Sequence, residues 1–189
     1  MFNSSEHPQV KYSLSALSDA LFRLMAHDPY ESITVTAICQ EAQMTRRTFY
    51  RNCESKMDLV AYKLCVLIQE LLDTMDLSDP HSDHVYRYFF TYWLSHRDVL
   101  HMIYQHNLFG EFLLVFTRYC TAFLNVPFFD DYVERQENRY QARQNLNAFI
   151  IGGLCNLLQY WVMDDFNTDI EALVSILEVF RPDAGQFRT

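Results

Sequence analysis

Four glycines (Gly110, Gly152, Gly153 and Gly185) stand in 189 residues, and this scarcity limits the possible folds more than any other feature. No GxGxxG or P-loop cradle can be built from them, and strand-turn-strand folds lose their usual punctuation. Prolines punctuate instead. Pro29, Pro80, Pro127 and Pro182 fall between long stretches with apolar residues at helical spacing, where a missing amide and a fixed φ end a helix. The pattern predicts an all-α protein.

In the first helix, after a Ser13 cap, Leu14, Leu17, Leu21, Leu24 and Met25 recur at three- and four-residue intervals and define one buried stripe ending near His27. Asp28-Pro29 opens a connection, and Thr34 caps a short helix through Ala42 with Val35, Ile38 and Ala42 on one side. Thr45 caps a second short helix, Arg46 to about Asn52. Ser55 with Asp58 forms a capping box for a longer helix to about Met75, with Val60, Leu64, Leu67 and Leu71 toward the core.

The rest differs in kind. Fourteen of the chain's 29 aromatic residues lie between Tyr86 and Phe129, too many for one helix face, so several helices must surround a shared interior there. Breaks are expected near Ser95-His96, near Asn107 and at Pro127. A long helix is expected from about Asp131 to Met163, turning from polar to apolar along its length. A final helix is expected from Thr168 to Phe180, with a Thr168-Glu171 capping box and Ile170, Leu173, Val174 and Leu177 on one stripe.

The net charge of −9 argues, taken whole, against nucleic acid. Its distribution reverses that. Residues 1–63 carry seven basic and seven acidic side chains, whereas residues 64–189 carry eight and seventeen. Five cysteines, an odd and widely spaced set without a CxxC pair, imply neither a disulfide framework nor structural zinc. The N-terminal residues lack the basic and apolar regions of a secretory signal, and no apolar run is expected to approach the roughly 18 residues of a membrane span. A soluble cytoplasmic protein without membrane partners is expected.

The densest basic stretch is MTRRTFYRNCESK, residues 44–56. Two short helices joined by about three residues, the second with arginines opposite its apolar side, have the form of a helix-turn-helix whose second helix enters the major groove. Phe49 and Cys53 face inward; Arg46, Arg47 and Arg51 face outward, Arg47 and Arg51 at i and i+4. Guanidinium forks suit guanine O6 and N7 and phosphate oxygens equally, so spacing does not divide those roles. Tyr50 can donate to a phosphate, Lys56 sits where a helix start also favours an anion, and Thr34, Thr36, Thr45 and Thr48 can supply backbone contacts.

The segment Ile33 to Val60 resembles the DNA-binding domain of the TetR family of transcriptional repressors. Thr34, Val35, Ile38, Ala42, Thr45, Thr48, Phe49, Tyr50, Ser55, Lys56 and Leu59 stand in register with its pattern. The resemblance implies that Tyr50 and Lys56 hold phosphates and that the Thr45 to Asn52 helix reads bases. It further implies a C-terminal domain that binds a small ligand and dimerises. On that basis residues 10–56 form the DNA-binding domain, with its motif at about 34–53, and residues 57–182 the ligand-binding and dimerisation domain. In outline, that second part is similar to regulators of the dihydroxyacetone-kinase regulator type. Three positions depart from the pattern. Gln43 replaces the usual turn glycine, at about 1 kcal/mol or more if its backbone is left-handed. Asn52 stands for histidine and Cys53 for phenylalanine.

His81 and His84 with Asp79 and Asp83 compose a metal-like loop that reads better as solvated turn. His96, His101 and His106 are five residues apart and share no helix face. No GxSxG elbow and no Ser-His-Asp or Cys-His arrangement is present, so no enzyme and no cofactor are expected. Tyr104, Phe112, Phe116, Tyr119 and Trp161 are the candidates for lining a cavity for a small apolar or aromatic effector. Gly152-Gly153 in a long helix suggests close approach of another helix, with the last two helices of two chains forming a four-helix interface. Two functions compete: a ligand-responsive dimeric repressor on a pseudo-palindromic operator, and a relative without DNA binding that senses ligand through protein contacts, motivated by Gln43 and Cys53.

Overall fold

In the computed structural model, residues 8–75, 83–120 and 130–178 are described, and among them every regular element is helical. α1 (Pro8–Met25) buries Leu14, Leu17, Leu21 and Met25 of the predicted stripe and leaves Leu24 half-buried. Ser13 is not its cap. Val10 extends the stripe one turn earlier, and Ser13 lies buried inside the helix with Oγ donating to the Gln9 carbonyl at 2.9 Å. After the connection at Asp28-Pro29, a single 3-10 turn (Tyr30–Ser32) leads to α2 (Val35–Glu41) and α3 (Arg46–Asn52). Thr34 and Thr45 cap them as expected, each accepting the backbone amide three residues on, Ala37 and Thr48, at 3.1 Å.

α4 (Lys56–Thr74) joins the two parts of the molecule. Its start is held by the predicted Ser55–Asp58 capping box, in which the Asp58 carboxylate accepts from the Ser55 and Glu54 amides at 2.8 Å. The first two turns pack on α1: buried Ser18 donates to the Leu59 carbonyl at 2.8 Å, and Lys63 pairs with Asp19 at 2.9 Å. The later turns pack on the second region, where the Tyr92 hydroxyl donates to the Leu67 carbonyl at 2.7 Å.

That region comprises α5 (Asp83–Ser95), α6 (Arg97–Gln105), α7 (Phe109–Cys120), α8 (Asp130–Glu134), α9 (Arg139–Met163) and α10 (Ile170–Glu178). The breaks at Ser95-His96 and Asn107 are present; the one expected at Pro127 lies outside the described residues. The long helix expected from Asp131 is interrupted between α8 and α9. Residues 135–138 present no apolar side chain to hold a helix on the core, and Asn138 starts α9 by accepting the Gln141 amide at 3.0 Å. The Thr168-Glu171 box is also absent. Thr168 donates its hydroxyl to Asp164 Oδ2 at 2.6 Å, and Glu171 pairs with Arg87 on α5, so α10 begins two residues later.

Edge-on aromatic pairs fill the interior of this region: Phe89, Phe90, Trp93, Phe112, Phe116 and Trp161, with centroids 5.0–6.5 Å apart across Trp93–Phe112, Phe90–Trp161, Phe89–Phe116 and Phe89–Trp93. α9 is polar in its first turns and mostly apolar after them, and is the one described helix long and apolar enough to cross a membrane by length and composition. Seven of its residues, among them Ile151, Leu154, Leu158 and Trp161, are buried in the protein, as in a core helix. Its opposite face leaves Phe149, Gly153, Tyr160 and Met163 exposed.

Candidate nucleic-acid interface and the clefts behind it

The face around α3 is built from its two ends. Thr45 fixes the start, with Thr48 Oγ1 a further 3.1 Å from its own Oγ1, and Asn52 closes the end by donating from Nδ2 to the Thr48 carbonyl at 2.9 Å. Phe49, fully buried, anchors the helix to α1 and α2, and buried Cys53 follows one turn on. Arg46, Arg47, Tyr50 and Arg51 consequently point outward. Arg46 lies over the Tyr50 ring at 5.8 Å, and among the described residues none of the three arginines pairs with an acid. Thr34 and Thr36 are exposed on the neighbouring α2 edge, whereas Thr48 and Asn52 are half-buried and already hydrogen-bonded within the helix.

Two departures from the family pattern are accommodated. Gln43 adopts a left-handed backbone with φ 53°, the conformation a turn glycine would supply, and the chain still reverses into α3 with the Met44 amide on the Cys39 carbonyl at 2.8 Å. Cys53 sits among Phe49 and its neighbours, and burial pushes its thiol up to about 12, with Asp58 adding to the effect. It stays a neutral packing group. Cys39, Cys53, Cys65 and Cys155 are all free and buried.

Lys56 is placed otherwise than the resemblance implies. Its Nζ turns back under α2 and donates to the carbonyls of Tyr30, Glu31 (3.1 Å) and Ile33 (3.0 Å), while sitting 4.2 Å from the centre of the Tyr30 ring. Three donors meet three acceptors, so the ammonium is saturated by the loop that leads into α2. Position alone suggested an anion site at the start of α4; only the fold shows the open carbonyls of the 3-10 turn beneath it.

The five aromatic candidates do not share a cavity. Phe112 and Phe116 are fully buried and stacked on each other at 5.7 Å, and Trp161 is buried with Nε1 donating to the Thr168 carbonyl at 2.8 Å. These three fill the interior that they were expected to line. Tyr119 borders a cleft of about 660 Å³ between the end of α3, the start of α4 and α7, together with Tyr50, Arg51, Asp58, Cys65 and Arg118. There burial raises the Cys65 thiol, against which the bond from Tyr119 acts. Tyr104 borders a separate cleft of about 280 Å³ between α7 and α9, with Asn107, Gly110, Gly152, Asn156 and Gln159. Composition had pointed to rings; the signal for this cleft was the pair of helical glycines, and a Cβ on Gly110 or Gly152 would meet nothing within 4 Å.

The histidines act singly. His96 lies against the Tyr92 ring at 4.6 Å, and His101 bonds Asp165 at 3.1 Å. His106 reaches across to the first region, where its Nδ1 accepts from the Tyr30 amide at 3.2 Å and its Nε2 is 2.9 Å from the Met25 carbonyl. His84 is exposed, and His81 and Asp79 of the metal-like loop lie outside the described residues.

Residues 17–62 match the family model for bacterial regulatory proteins of the tetR family, a span running from the middle of α1 through the first two turns of α4. It contains the capped α2–α3 pair and every outward-facing arginine of α3. The match supports a DNA-binding transcriptional regulator. No curated protein matches the chain.

Proposed function

We propose that the protein is a ligand-responsive transcriptional repressor that binds a pseudo-palindromic operator as a homodimer. The observation that carries this reading is α3 itself: a helix capped at Thr45, pinned by Phe49, and presenting Arg46, Arg47 and Arg51 without acidic partners among the described residues. Inserted in a major groove, Arg47 and Arg51 reach base edges or phosphates from one face, while Arg46, Tyr50, Thr34 and Thr36 serve the flanking backbone. Thr45, Thr48, Asn52 and Lys56 hold these elements in place.

Dimerisation is assigned to α9 and α10. Gly153 has open space over its Cα, so nothing among the described residues requires a glycine there. It lies between exposed Phe149 and Tyr160 on α9, with Ile176 exposed on α10, a surface suited to the same helices of a second copy. Two α3 helices held about 34–36 Å apart would meet successive major grooves, and an effector bound behind them acts by favouring a different separation. On this reading the protein acts on DNA in the cytoplasm. The likeness of the second region to the dihydroxyacetone-kinase regulator type rests on outline alone. The competing reading, a relative that has lost DNA binding, drew on Gln43 and Cys53; the turn and the packing at both positions remain intact.

A gel-shift series with fragments of the upstream region of its own gene, at several salt concentrations, tests the proposal. Saturable, sequence-selective retention is expected, and binding indifferent to sequence at every salt concentration overturns it. Arg47→Ala should weaken operator binding by about 1–3 kcal/mol and relax preference at one position of each half-site.

A further inference from the structure

We propose that the cleft between α7 and α9 binds a small uncharged molecule carrying a planar ring and an amide or hydroxyl group, and that His106 transmits its occupancy to the reading helix. This rests on the regulator reading above and specifies its effector site. None of the described residues that border the cleft is charged. Asn107, Asn156 and Gln159 offer amides that no other described group engages, beside the phenol of Tyr104 and the ring of Phe109. The Cys155 thiol, pushed up to about 12 by burial, adds no charge to the cleft at neutral pH. The cleft below α3 is the opposite case, lined by Arg51, Asp58, Glu111 and Arg118.

Gly110 and Gly152 face this cleft from opposite helices. Gly152 costs the interior of α9 about 1 kcal/mol relative to alanine, and neither glycine is required by a neighbour among the described residues, since a Cβ would enter open space. What they preserve is room. About 280 Å³ lies at the small end of ligand sites, which span roughly 300–1,000 Å³.

The connection to DNA runs through one turn. Tyr104 and Asn107 face the cleft, and His106 between them faces the other way. Asn107 has φ 56°, which fixes the direction of that turn. The Tyr30 amide can only donate, so Nδ1 of His106 accepts, and the proton on Nε2 is given to the Met25 carbonyl. The Tyr30 carbonyl in turn accepts from Lys56, which also holds Ile33, the residue before the Thr34 cap of α2. Displacement of Tyr104 or Asn107 by a bound molecule therefore moves the group that secures the C-terminal end of α1 and the loop into α2.

Three ring compounds of nearly equal size test the assignment on the full chain by amide NMR: benzamide, neutral; benzoate, anionic; and benzamidine, cationic. Benzamide, at a Kd on the order of 1 mM for so small a fragment, is expected to shift the signals of Asn107, Gly110 and Gly152, and with them Tyr30 and Ile33. The charged compounds should leave these signals in place. Gly152→Leu, whose side chain enters the cleft, should abolish the response while leaving the rest of the spectrum unchanged. His106→Ala should keep the response at the cleft and lose it at Tyr30 and Ile33; His106→Leu, which keeps the side-chain bulk without either bond, serves the same purpose if alanine unfolds the chain. No response to benzamide, equal shifts from the charged compounds, or a response that survives Gly152→Leu overturns the site. A response at Tyr30 undiminished without His106 overturns the relay. Operator retention by the unliganded chain, measured separately, shows whether the regulator reading stands when this inference falls.

Discussion

The caps that start α2 and α3 are the residues whose types predict them, whereas beyond α4 the expected cap at Thr168 bonds elsewhere and Asn138, which was not expected, starts α9. Thr34 and Thr45 each accept an amide at 3.1 Å, at the positions their residue types predict. Thr168 has the same chemistry and does something else, because Asp164 sits closer to it than any helix amide and Arg87 has taken Glu171. Local signals thus decide a small domain with short helices, and long-range contacts decide one whose interior is a crowd of rings. The comparison yields experiments of graded size.

The largest effect should come from Phe49→Ala. A fully buried ring on α3, which packs on α1 and α2, should cost about 3–5 kcal/mol when removed. Phe112→Ala in the second region should cost a similar amount, about 3–5 kcal/mol, but there Trp93, Phe109 and Phe116 surround the gap. Urea unfolding and gel shifts at low denaturant separate the two. Phe49→Ala should lose operator binding where Phe112→Ala keeps it, and loss in both would show that the regions do not stand apart.

Lys56→Met comes next. Methionine retains the aliphatic stem but leaves the Tyr30, Glu31 and Ile33 carbonyls without their donor, for an expected loss of about 1–3 kcal/mol of stability. Operator binding should weaken because α2 is no longer held, with the salt slope nearly unchanged. An unaltered urea midpoint with a slope reduced by about one would instead make Lys56 a phosphate anchor.

These cases mark how far the sequence was legible. The bounds of α3, the inward Phe49 and outward arginines, and the breaks at Ser95 and Asn107 follow from capping chemistry and spacing, which act within a few residues. The interruption at residues 135–138, the saturation of Lys56 and the burial of Phe112 and Phe116 depend on groups far away in the chain. His106 shows the difference: at five-residue spacing from His101 it belongs to no cluster, and its partners lie 76 and 81 positions away.

Thr45→Ala should have a smaller effect, about 1 kcal/mol, since it removes one cap bond at an exposed helix start. The loss should appear both in thermal stability and in operator affinity, because the same residue begins α3, the helix proposed to read DNA. Thr168→Ala, which removes an exposed bond to Asp164 and no helix cap, should leave operator affinity unchanged. Equal effects on DNA binding would mean that the end of α9 is coupled to α3 more tightly than the contacts indicate.

The smallest effect compares two left-handed turns, one in each region. Gln43 has φ 53° and Asn107 has φ 56°. A left-handed backbone costs an ordinary residue about 1–2 kcal/mol, and asparagine less, because its short amide can bond locally. Glycine removes that cost but adds unfolded-state entropy, which returns part of the gain. Gln43→Gly should therefore raise stability by about 0.5–1 kcal/mol, and Asn107→Gly should change it by no more than a few tenths. Urea midpoints read the difference directly. Because Gln43 is exposed and its side chain supports nothing beyond the turn, operator affinity should hold or rise with the first substitution. A stabilised Gln43→Gly protein that binds DNA less well would mean that the glutamine side chain, and not only its backbone, belongs to the interface.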